Sequence, residues 1–214
     1  YEVPIIDISV VEYPVHYMKP DVGLYGPISI NLSALLDNIS VWSSDWKLHA
    51  IERLRHDMHD ALQCKADQGI GPQDIVEVAL ESALATQAVN QQKKLPLITV
   101  DAGAHMFSVM AFWSCDQPFD ALISNGLATM AYALPAAIAA ALKAPDRMVV
   151  AFTGDGGLLM CLGELSTAVE QAVPIIVIVF NDQSLSLIDI KQQASGLPSR
   201  GMRWETPNFS QVME

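Results

Sequence analysis

A glycine-flanked aspartate is the first stretch of this chain whose residue types could do chemistry. Gly154-Asp155-Gly156-Gly157 follows a β-branched run and precedes a helix-like segment. Glycines let backbone N–H groups come close to a phosphate, and the Asp155 carboxylate offers the hard oxygen ligand that Mg²⁺ prefers. The motif alone is weak evidence for a site, because Gly-Asp-Gly also occurs in ordinary turns.

A second polar pair, Asn181-Asp182, strengthens that interpretation. It comes directly after the apolar run Ile175–Phe180, and one helical stretch separates that run from Asp155. A helix and a return strand bring the second loop back to the same sheet edge, so we expect the side chains of the two loops to converge. Magnesium commonly bridges protein carboxylates and the phosphates of a ligand. The two loops together therefore predict a magnesium and phosphate site.

The elements that must position these loops alternate along the chain. Short apolar runs predict strands at Leu97–Val100, Ala121–Ser124, Met148–Thr153 and Ile175–Phe180. Helical patterns begin at Pro72 and cover Thr129–Leu142 and Leu162–Gln171. Continuous β-branched runs separated by helices are typical of a parallel sheet covered on both faces. The predicted fold class is α/β, a doubly wound parallel sheet with helices on both faces.

Function is expected where three of these strands end. Ligands of doubly wound sheets bind beyond the carboxyl ends of the strands. At those positions the chain carries Asp101-Ala-Gly, Gly154-Asp-Gly-Gly and Asn181-Asp. The sequence has no Gly-x-x-x-x-Gly-Lys-Ser/Thr loop, and no Gly-x-Gly-x-x-Gly follows a strand. These absences disfavour a nucleoside triphosphatase and a dinucleotide-binding protein.

The composition narrows the class of partner. The chain has 214 residues and a net charge of −12, with 24 acidic against 12 basic residues. Nucleic acids and anionic membranes demand a basic footprint, so neither is expected as a partner. The three cysteines lack metal-ligand spacing and fit reduced thiols in a cytosol. No signal-like segment begins the chain and no apolar run is long enough for a bilayer, so a cytoplasmic location is expected.

The segments before Pro72 offer fewer groups for chemistry. An extended run covers Val3–Ile8, a helical pattern follows Asn31, and Ser44–Gln68 has the pattern of a polar helix. That helix carries three histidines, His49, His56 and His59. We interpret them as a solvated helix face in preference to a metal site.

Several motifs resemble the acetolactate synthase and 2-oxo acid decarboxylase family of thiamine-diphosphate-dependent enzymes. Gly154-Asp155-Gly, the helix with Glu164-Leu165 and Asn181-Asp182 are similar to the cofactor motif of that family. Asp101-Ala-Gly-Ala-His105 resembles its Gly-Gln-His segment, and Ser124-Asn-Gly-Leu-Ala-Thr-Met130-Ala-Tyr-Ala-Leu-Pro-Ala-Ala its Gly-Leu-Gly-Thr-Met-Gly-Tyr-Gly-Leu-Pro-Ala-Ala segment. The resemblance covers about Pro72 to the end. It implies the thiamine-diphosphate-binding fold, incomplete at its C-terminus.

The resemblance implies a role for each matched position. Asp155 and Asp182 would bind Mg²⁺, together with the backbone carbonyl of Ser184. His105 would contact the diphosphate from the facing loop, and the Ala128 carbonyl and the Met130 N–H would hold the aminopyrimidine. The Met130 side chain would keep the two rings of the cofactor bent. Backbone groups would cradle the diphosphate at Gly154, Gly156, Gly157 and Ser186.

The sequence departs from the family at identifiable positions. Asp182 stands where the family has Asn, which adds a negative charge beside the diphosphate, so a tight dependence on the metal is expected. Ala104 replaces a Gln, which removes one donor. Alanine stands where the family has glycine at Ala128, Ala131, Ala133 and Ala139. The substrate pocket is expected at Leu187 and Lys191, where acetolactate synthases carry Met and Trp, so the resemblance does not extend to their acceptor pocket.

The resemblance also implies a larger protein. Residues 1–40 are similar to the end of the family's middle domain, 41–70 form a helical linker, and 71–214 form the cofactor-binding domain. The activating glutamate of the family lies on an N-terminal pyrimidine-binding domain, so no catalytic residue is expected in this chain. We expect the chain to be a fragment or one subunit of a split enzyme, working as a homodimer or homotetramer.

Three functions stay open at this point. The first is carboligation or decarboxylation of a 2-oxo acid with thiamine diphosphate and Mg²⁺. The second is an oxidase or a carbon–carbon hydrolase that uses the same cofactor, where a flavin requirement would distinguish the oxidase. The third is a degenerate domain that serves assembly or regulation, against which the intact Asp155, Gly156 and Asp182 argue.

Overall fold

The computed structural model describes residues 3–13, 19–40, 47–63, 69–90 and 94–212. The chain divides into two units, Tyr1–Leu54 and Arg55–Glu214. The ends of the predicted Ser44–Gln68 helix, and Cys64 with them, lie outside the described residues. Among the described residues no helix is both long enough and apolar enough to cross a membrane.

The first unit contains a small parallel sheet. Strand β1 (Ile6–Ser9) pairs with β2 (Val22–Tyr25), and helix α1 (Ile28–Asn38) follows. Of the described residues in this unit, none is buried. The predicted extended run overlaps β1, and the helical pattern predicted after Asn31 lies in α1, which begins three residues earlier.

Helix α2 (Leu48–Leu62) is polar, as predicted, and one of its histidines differs from the expected solvated face. His59 is half-buried and places its ring edge against Phe112, with 4.7 Å between the ring centroids. Its Nε2 lies 3.1 Å from Oε1 of Glu77. His59 thus packs within the second unit, while His49 and His56 are exposed.

The second unit is built on four parallel strands, which confirms the predicted sheet. They are β3 (Leu97–Val100), β4 (Ala121–Ile123), β5 (Val149–Gly154) and β6 (Ile175–Phe180). Their order in the sheet is β4-β3-β5-β6, and every neighbouring pair is parallel. Each strand coincides with a predicted apolar run to within about one residue at either end, because these β-branched runs suit a sheet that is covered on both faces.

Helices cover both faces of this sheet, as the predicted fold class requires. The helices of the second unit after Pro72 are α3 (Pro72–Asn90), α4 (Ala104–Phe112), α5 (Ala133–Lys143), α6 (Asp155–Met160), α7 (Glu164–Glu170), α8 (Ser186–Ala194) and α9 (Phe209–Val212). Alternate side chains of β5 point to opposite faces. Val150 and Phe152 pack with residues of α3 and α4, whereas Val149 and Ala151 pack with the alanines of α5.

The direction in which the chain adds new strands to the sheet changes between β3 and β5, although all the strands stay parallel. From β3 the chain first adds β4 on one side, and it then places β5 and β6 on the other side. The loops that leave β3 and β5 therefore diverge at adjacent positions, and the crevice between such loops is where ligands bind in sheets of this kind. The topology places Asp101–His105 and Gly154–Gly157 around that crevice.

Asp101 has a structural role that the sequence did not predict. Its buried carboxylate lies at the end of β3, where Oδ1 accepts the N–H groups of Tyr132 at 2.6 Å and Ala133 at 2.9 Å. Its Oδ2 accepts the hydroxyl of Thr153 at 2.6 Å. The carboxylate thus satisfies free N–H groups at the start of α5 and ties this helix to β3 and β5.

Candidate functional site

A cavity of about 520 Å³ opens at the crevice between the β3 and β5 loops. Its walls come from the loops after β3, β5 and β6, from the segment before α5, and from the first turn of α8. The predicted residues that line it are His105, Ala128, Met130, Gly154, Asp155, Gly156, Gly157, Asp182, Ser184, Ser186 and Leu187. Segments that are far apart in the sequence are therefore brought to one place.

Asp155 is the most deeply buried charged group of the cavity. It begins α6 and is 2 % exposed, and its Oδ2 is buried without a hydrogen-bond partner. Burial raises the pKa of this carboxyl group, backbone N–H groups of Gly156 and Gln183 act against that rise, and the charge of Asp182 adds to it. A buried carboxylate oxygen without a partner is costly unless a ligand completes its environment.

Asp182 lies in the loop after β6 and is exposed. Its Oδ1 accepts the backbone N–H of Ser184 at 3.2 Å, and its Oδ2 accepts the hydroxyl of Ser186. Gln183 between them adopts a left-handed backbone conformation, with a φ of 58°, which a non-glycine residue rarely takes. The loop is therefore folded tightly around the Asp182 carboxylate.

The glycines after β5 lie where side chains would not fit. A Cβ atom on Gly156 would come within 3.2 Å of Cε of Met130 and 3.3 Å of both Leu185 and Trp204. A Cβ atom on Gly157 would collide with the carboxylate of Asp101 and lie 3.0 Å from Oγ1 of Thr153. Glycine at both positions therefore lets the start of α6 pack closely against these side chains.

His105 lies in the first turn of α4 and is 8 % exposed. Its ring stacks on Phe180 with 5.3 Å between centroids, and its buried Nε2 has no hydrogen-bond partner. Burial lowers the pKa of His105, while the carboxylates of Asp101 and Asp182 and the carbonyl of Phe152 act in the opposite direction. The lowered pKa favours a neutral imidazole at the wall of the cavity.

The segment before α5 supplies Ala128 and Met130. Ala128 is exposed and Met130 is half-buried, with Cε of Met130 close to Gly156. Ala131 follows in a left-handed conformation, with a φ of 64°. The family has glycine at this position by the resemblance above, and the backbone conformation gives a physical reason for that glycine.

Of the two residues expected in the substrate pocket, only one lines the cavity. Leu187 does so from α8. Lys191, one turn further along the same helix, is exposed and lies away from the lining. The apolar wall contributed by Ile70, Pro72 and Ile75 was not predicted, since nothing in the local pattern of this segment indicates that it faces a distant loop.

A short C-terminal segment supports the Asp182 loop and was also not predicted. Leu185 donates its N–H to the carbonyl of Met202 at 2.9 Å, and Trp204 donates its N–H to the carbonyl of Gln183 at 3.2 Å. The intervening residues Ser184 and Arg203 form an isolated antiparallel bridge. A bridge of this length has no alternation of apolar residues from which it could be predicted.

The donor set fits a hard cation better than a transition metal. Within the described part of the chain, no group of three or more His, Cys, Asp or Glu side chains is arranged to hold a metal ion. Asp155 and Asp182 are two carboxylates beside a backbone-rich loop, and magnesium characteristically takes one or two carboxylates and completes its shell with carbonyl, water and phosphate oxygens.

Comparison with known proteins identifies the family of the domain. Residues 101–214 match the family described as "Thiamine pyrophosphate enzyme, C-terminal TPP binding domain". The acetolactate synthase of Bacillus subtilis (strain 168) is 29% identical over 213 residues, which cover 90% of this chain and 36% of that protein. The acetolactate synthase isozyme 1 large subunit of Escherichia coli (strain K12) is 41% identical over 96 residues, 45% of this chain and 17% of that protein.

A further relative extends the same match. The acetolactate synthase isozyme 3 large subunit of Escherichia coli (strain K12) is 29% identical over 184 residues, which cover 84% of this chain and 29% of that protein. The chain thus spans about a third or less of the length of these curated relatives.

Proposed function

The chain belongs to the thiamine pyrophosphate enzymes, and on that premise we propose that its cavity holds thiamine diphosphate and Mg²⁺ as part of an enzyme that acts on a 2-oxo acid. The observation that carries the proposal is the pair of buried polar atoms without partners, Oδ2 of Asp155 and Nε2 of His105, in residues that line one cavity. A magnesium ion and a diphosphate are the ligands that these atoms would accept.

Asp155, Asp182 and the Ser184 carbonyl are the proposed protein ligands of Mg²⁺. Support comes from the raised pKa of Asp155, because a cation beside the carboxylate would offset the burial and the charge of Asp182. The extra carboxylate at Asp182, where the family has Asn, increases the negative charge that the metal must neutralise. The domain therefore depends on the metal for tight binding of a diphosphate.

The diphosphate would lie against the backbone of Gly154, Gly156 and Gly157, with Ser186 and His105 completing its contacts. Support comes from the position of these three glycines in the lining of the cavity, since a phosphate binds backbone N–H groups only where the backbone can be approached. The carbonyl of Phe152 already accepts from the imidazole, so the unpartnered Nε2 would donate to a phosphate oxygen only when the ring is protonated, a state that the negative charge of a diphosphate would favour.

The organic part of the cofactor would lie between Met130 and the apolar wall. The Ala128 carbonyl and the Met130 N–H would bind the aminopyrimidine, and the Met130 side chain would separate the two rings. When bound, thiamine diphosphate supplies the electron sink for breaking or making a bond beside the carbonyl of a 2-oxo acid. The residues of this chain bind and orient the cofactor, and they shield it from water.

The substrate and partners are proposed by analogy with the relatives. We propose acetolactate-synthase-like carboligation or decarboxylation of a 2-oxo acid, because the relatives named above are acetolactate synthases. An N-terminal pyrimidine-binding domain, from the same or a partner chain, would supply the activating glutamate, in a homodimer or homotetramer. Residues 1–40, 41–70 and 71–214 are proposed as the end of a middle domain, a helical linker and the cofactor-binding domain.

Calorimetric titration of the complete protein with thiamine diphosphate tests the cofactor assignment. With Mg²⁺ present we expect saturable binding, which EDTA removes and which Asp155→Ala abolishes. Asp146→Ala is a matched control, because Asp146 is an exposed aspartate in the turn before β5 and away from the cavity. Absence of any magnesium-dependent heat from the wild-type protein would contradict the proposal.

A panel of 2-oxo acids, with product analysis, then separates carboligation from decarboxylation.

A further inference from the structure

The segment that supports the Asp182 loop has a defined geometry. We call Met202–Trp204 the strap. Its two backbone hydrogen bonds join residues on either side of Ser184, since Met202 accepts from Leu185 and Trp204 donates to Gln183. In an antiparallel ladder this is a non-hydrogen-bonded pair, in which the two opposed residues make no hydrogen bond to each other. Ser184 and Arg203 are that pair.

The pairing fixes the direction of the Ser184 peptide groups. Because the strap takes the carbonyl of Gln183 and the N–H of Leu185, the N–H and carbonyl of Ser184 face the other side. The N–H of Ser184 does so, since it donates to Oδ1 of Asp182 at 3.2 Å. The Ser184 carbonyl therefore lies on the side of the Asp182 carboxylate, which is the side on which a shared cation would bind.

Asp189 anchors the strap to α8. Its side chain is only 4 % exposed, and its Oδ2 lies 3.6 Å from Nη2 of Arg203. Side-chain hydrogen bonds from Ser199 and Gln193, together with Arg203, hold the pKa of Asp189 below its usual range. One buried carboxylate thus contacts residues before and within the strap.

The partners of Asp189 favour its charged form, but one of its buried oxygens stays unpaired, which points to a role beyond packing. The carboxylate of Asp189 is buried in a chain that already has a net charge of −12, and its Oδ1 is buried without a hydrogen-bond partner. Its ion pair with Arg203, whose side chain is 75% exposed, contributes little to stability. Buried polar groups of this kind are retained where they orient the ligands of a metal.

We propose that Asp189 is a positioning residue for the metal site, which holds the strap through Arg203 and so keeps the Ser184 carbonyl turned toward the magnesium ion. This inference rests on the proposed function, because it assumes a magnesium ion between Asp155 and Asp182. It assigns a role to α8 that is separate from lining the cavity.

Magnesium titration of the complete protein at saturating thiamine diphosphate tests the inference. Asp189→Asn and Arg203→Met should each weaken Mg²⁺ binding by about tenfold, as is typical for groups that orient metal ligands. Arg203→Lys keeps the charge and should restore most of the affinity. Arg200→Met is the matched control, because Arg200 is exposed and lies outside the bridge; it should bind Mg²⁺ like the wild type. Thermal melts of the apo proteins report folding separately.

The outcomes are distinct. If Asp189→Asn and Arg203→Met lower the melting temperature but leave the Mg²⁺ affinity unchanged, Asp189 is merely structural and the inference is wrong. If Asp189→Asn fails to fold, the comparison of Arg203→Met with Arg203→Lys decides, since Arg203 is 75% exposed and its replacement leaves the core intact. If the wild-type protein shows no magnesium-dependent binding, the proposed function itself fails and this inference falls with it.

Discussion

At the scale of single residues, the candidate site is built from groups that are unfavourable for the empty protein. Asp155 is buried beside a second carboxylate, Gly157 leaves no room for a methyl group, and Gln183 has a left-handed backbone. Functional sites commonly carry such costs because the ligand, rather than the fold, compensates them. Substitutions at these positions should therefore separate stability from binding.

Asp155→Asn should stabilise the apo protein and abolish magnesium binding. Burial raises the pKa of Asp155, so the folded state holds this proton more strongly than the unfolded chain. The contribution of the group to stability is then full below its unfolded pKa, and it is lost as the pH rises through the folded pKa. At neutral pH we expect Tm to rise by about 2–4 °C, roughly 1 kcal/mol for a chain of this size.

The measurement is a pair of thermal melts at neutral pH, with and without thiamine diphosphate and Mg²⁺. The ligands should raise Tm of the wild type by mass action and leave Asp155→Asn unchanged. At a pH low enough to protonate Asp155, the difference between the apo proteins should disappear. A lower Tm for apo Asp155→Asn at neutral pH would mean that the carboxylate stabilises the empty fold.

Gly157→Ala should damage both fold and site. The new methyl group would collide with the carboxylate of Asp101, which the N–H groups of Tyr132 and Ala133 hold in place. Overpacking of this kind costs about 1–3 kcal/mol. The matched substitution Gly163→Ala meets no atom within 4 Å, and its φ of -60° suits any residue, so it should be neutral or slightly stabilising. Urea denaturation of both variants checks the contrast.

At the scale of elements, the strands were predictable and the supports of the loops were not. Ile175–Phe180 has only apolar and mostly β-branched residues, so its assignment to a covered strand depends on composition alone. Asp101 was predicted merely as part of a strand-end motif. Its role at the start of α5 depends on backbone N–H groups more than thirty residues later in the chain. A local sequence pattern cannot indicate a contact between residues so far apart.

In the candidate site too, part of the residues could be predicted from the sequence and part could not. The glycines and carboxylates after β5 and β6 were singled out because such groups at strand ends have a recognisable chemistry. The other predicted residues of the lining were named only through the family resemblance, namely His105, Ala128, Met130, Ser184, Ser186 and Leu187. The strap and the apolar wall at Ile70, Pro72 and Ile75 were missed because their residues are ordinary for a loop and a helix start. Trp204 is an example, since its contact with Gly156 depends on the chain returning after α8.

Two alanine-to-glycine substitutions around α5 should have opposite effects. Ala131 has a φ of 64°, and the left-handed conformation costs a residue with a Cβ about 1–2 kcal/mol. Ala131→Gly relieves that strain and should stabilise the protein by about 0.5–1 kcal/mol after the entropy of glycine is counted. Ala139→Gly, an exposed position within α5, should destabilise it by about 1 kcal/mol. Chemical denaturation measures both, and equal signs would refute the strain argument.

At the scale of the whole molecule, the two units differ in how they are stabilised. The second unit has buried clusters on both faces of its sheet, whereas the described residues of the first unit include none that are buried. Regions with few buried apolar contacts open at low free-energy cost. The position of the cavity follows from the reversal of strand order in the second unit, so this unit alone supplies every residue that was proposed to bind the cofactor.

The order β4-β3-β5-β6 has a consequence for the colloidal behaviour of the chain. Within the described residues β6 pairs only with β5, so in this 214-residue chain taken by itself the other edge of Ile-Ile-Val-Ile-Val-Phe has no strand partner among those residues. The hexapeptide is uncharged and contains no proline. Such an edge is a template for intermolecular strand addition and fibril growth. Ile176→Lys, at a position that is 47% exposed, should slow thioflavin-positive aggregation several-fold, whereas Val169→Lys on α7, at 80% exposure, adds the same charge and should not. If both lysine substitutions slow aggregation equally, the net charge of the chain rather than the edge of β6 sets its aggregation rate.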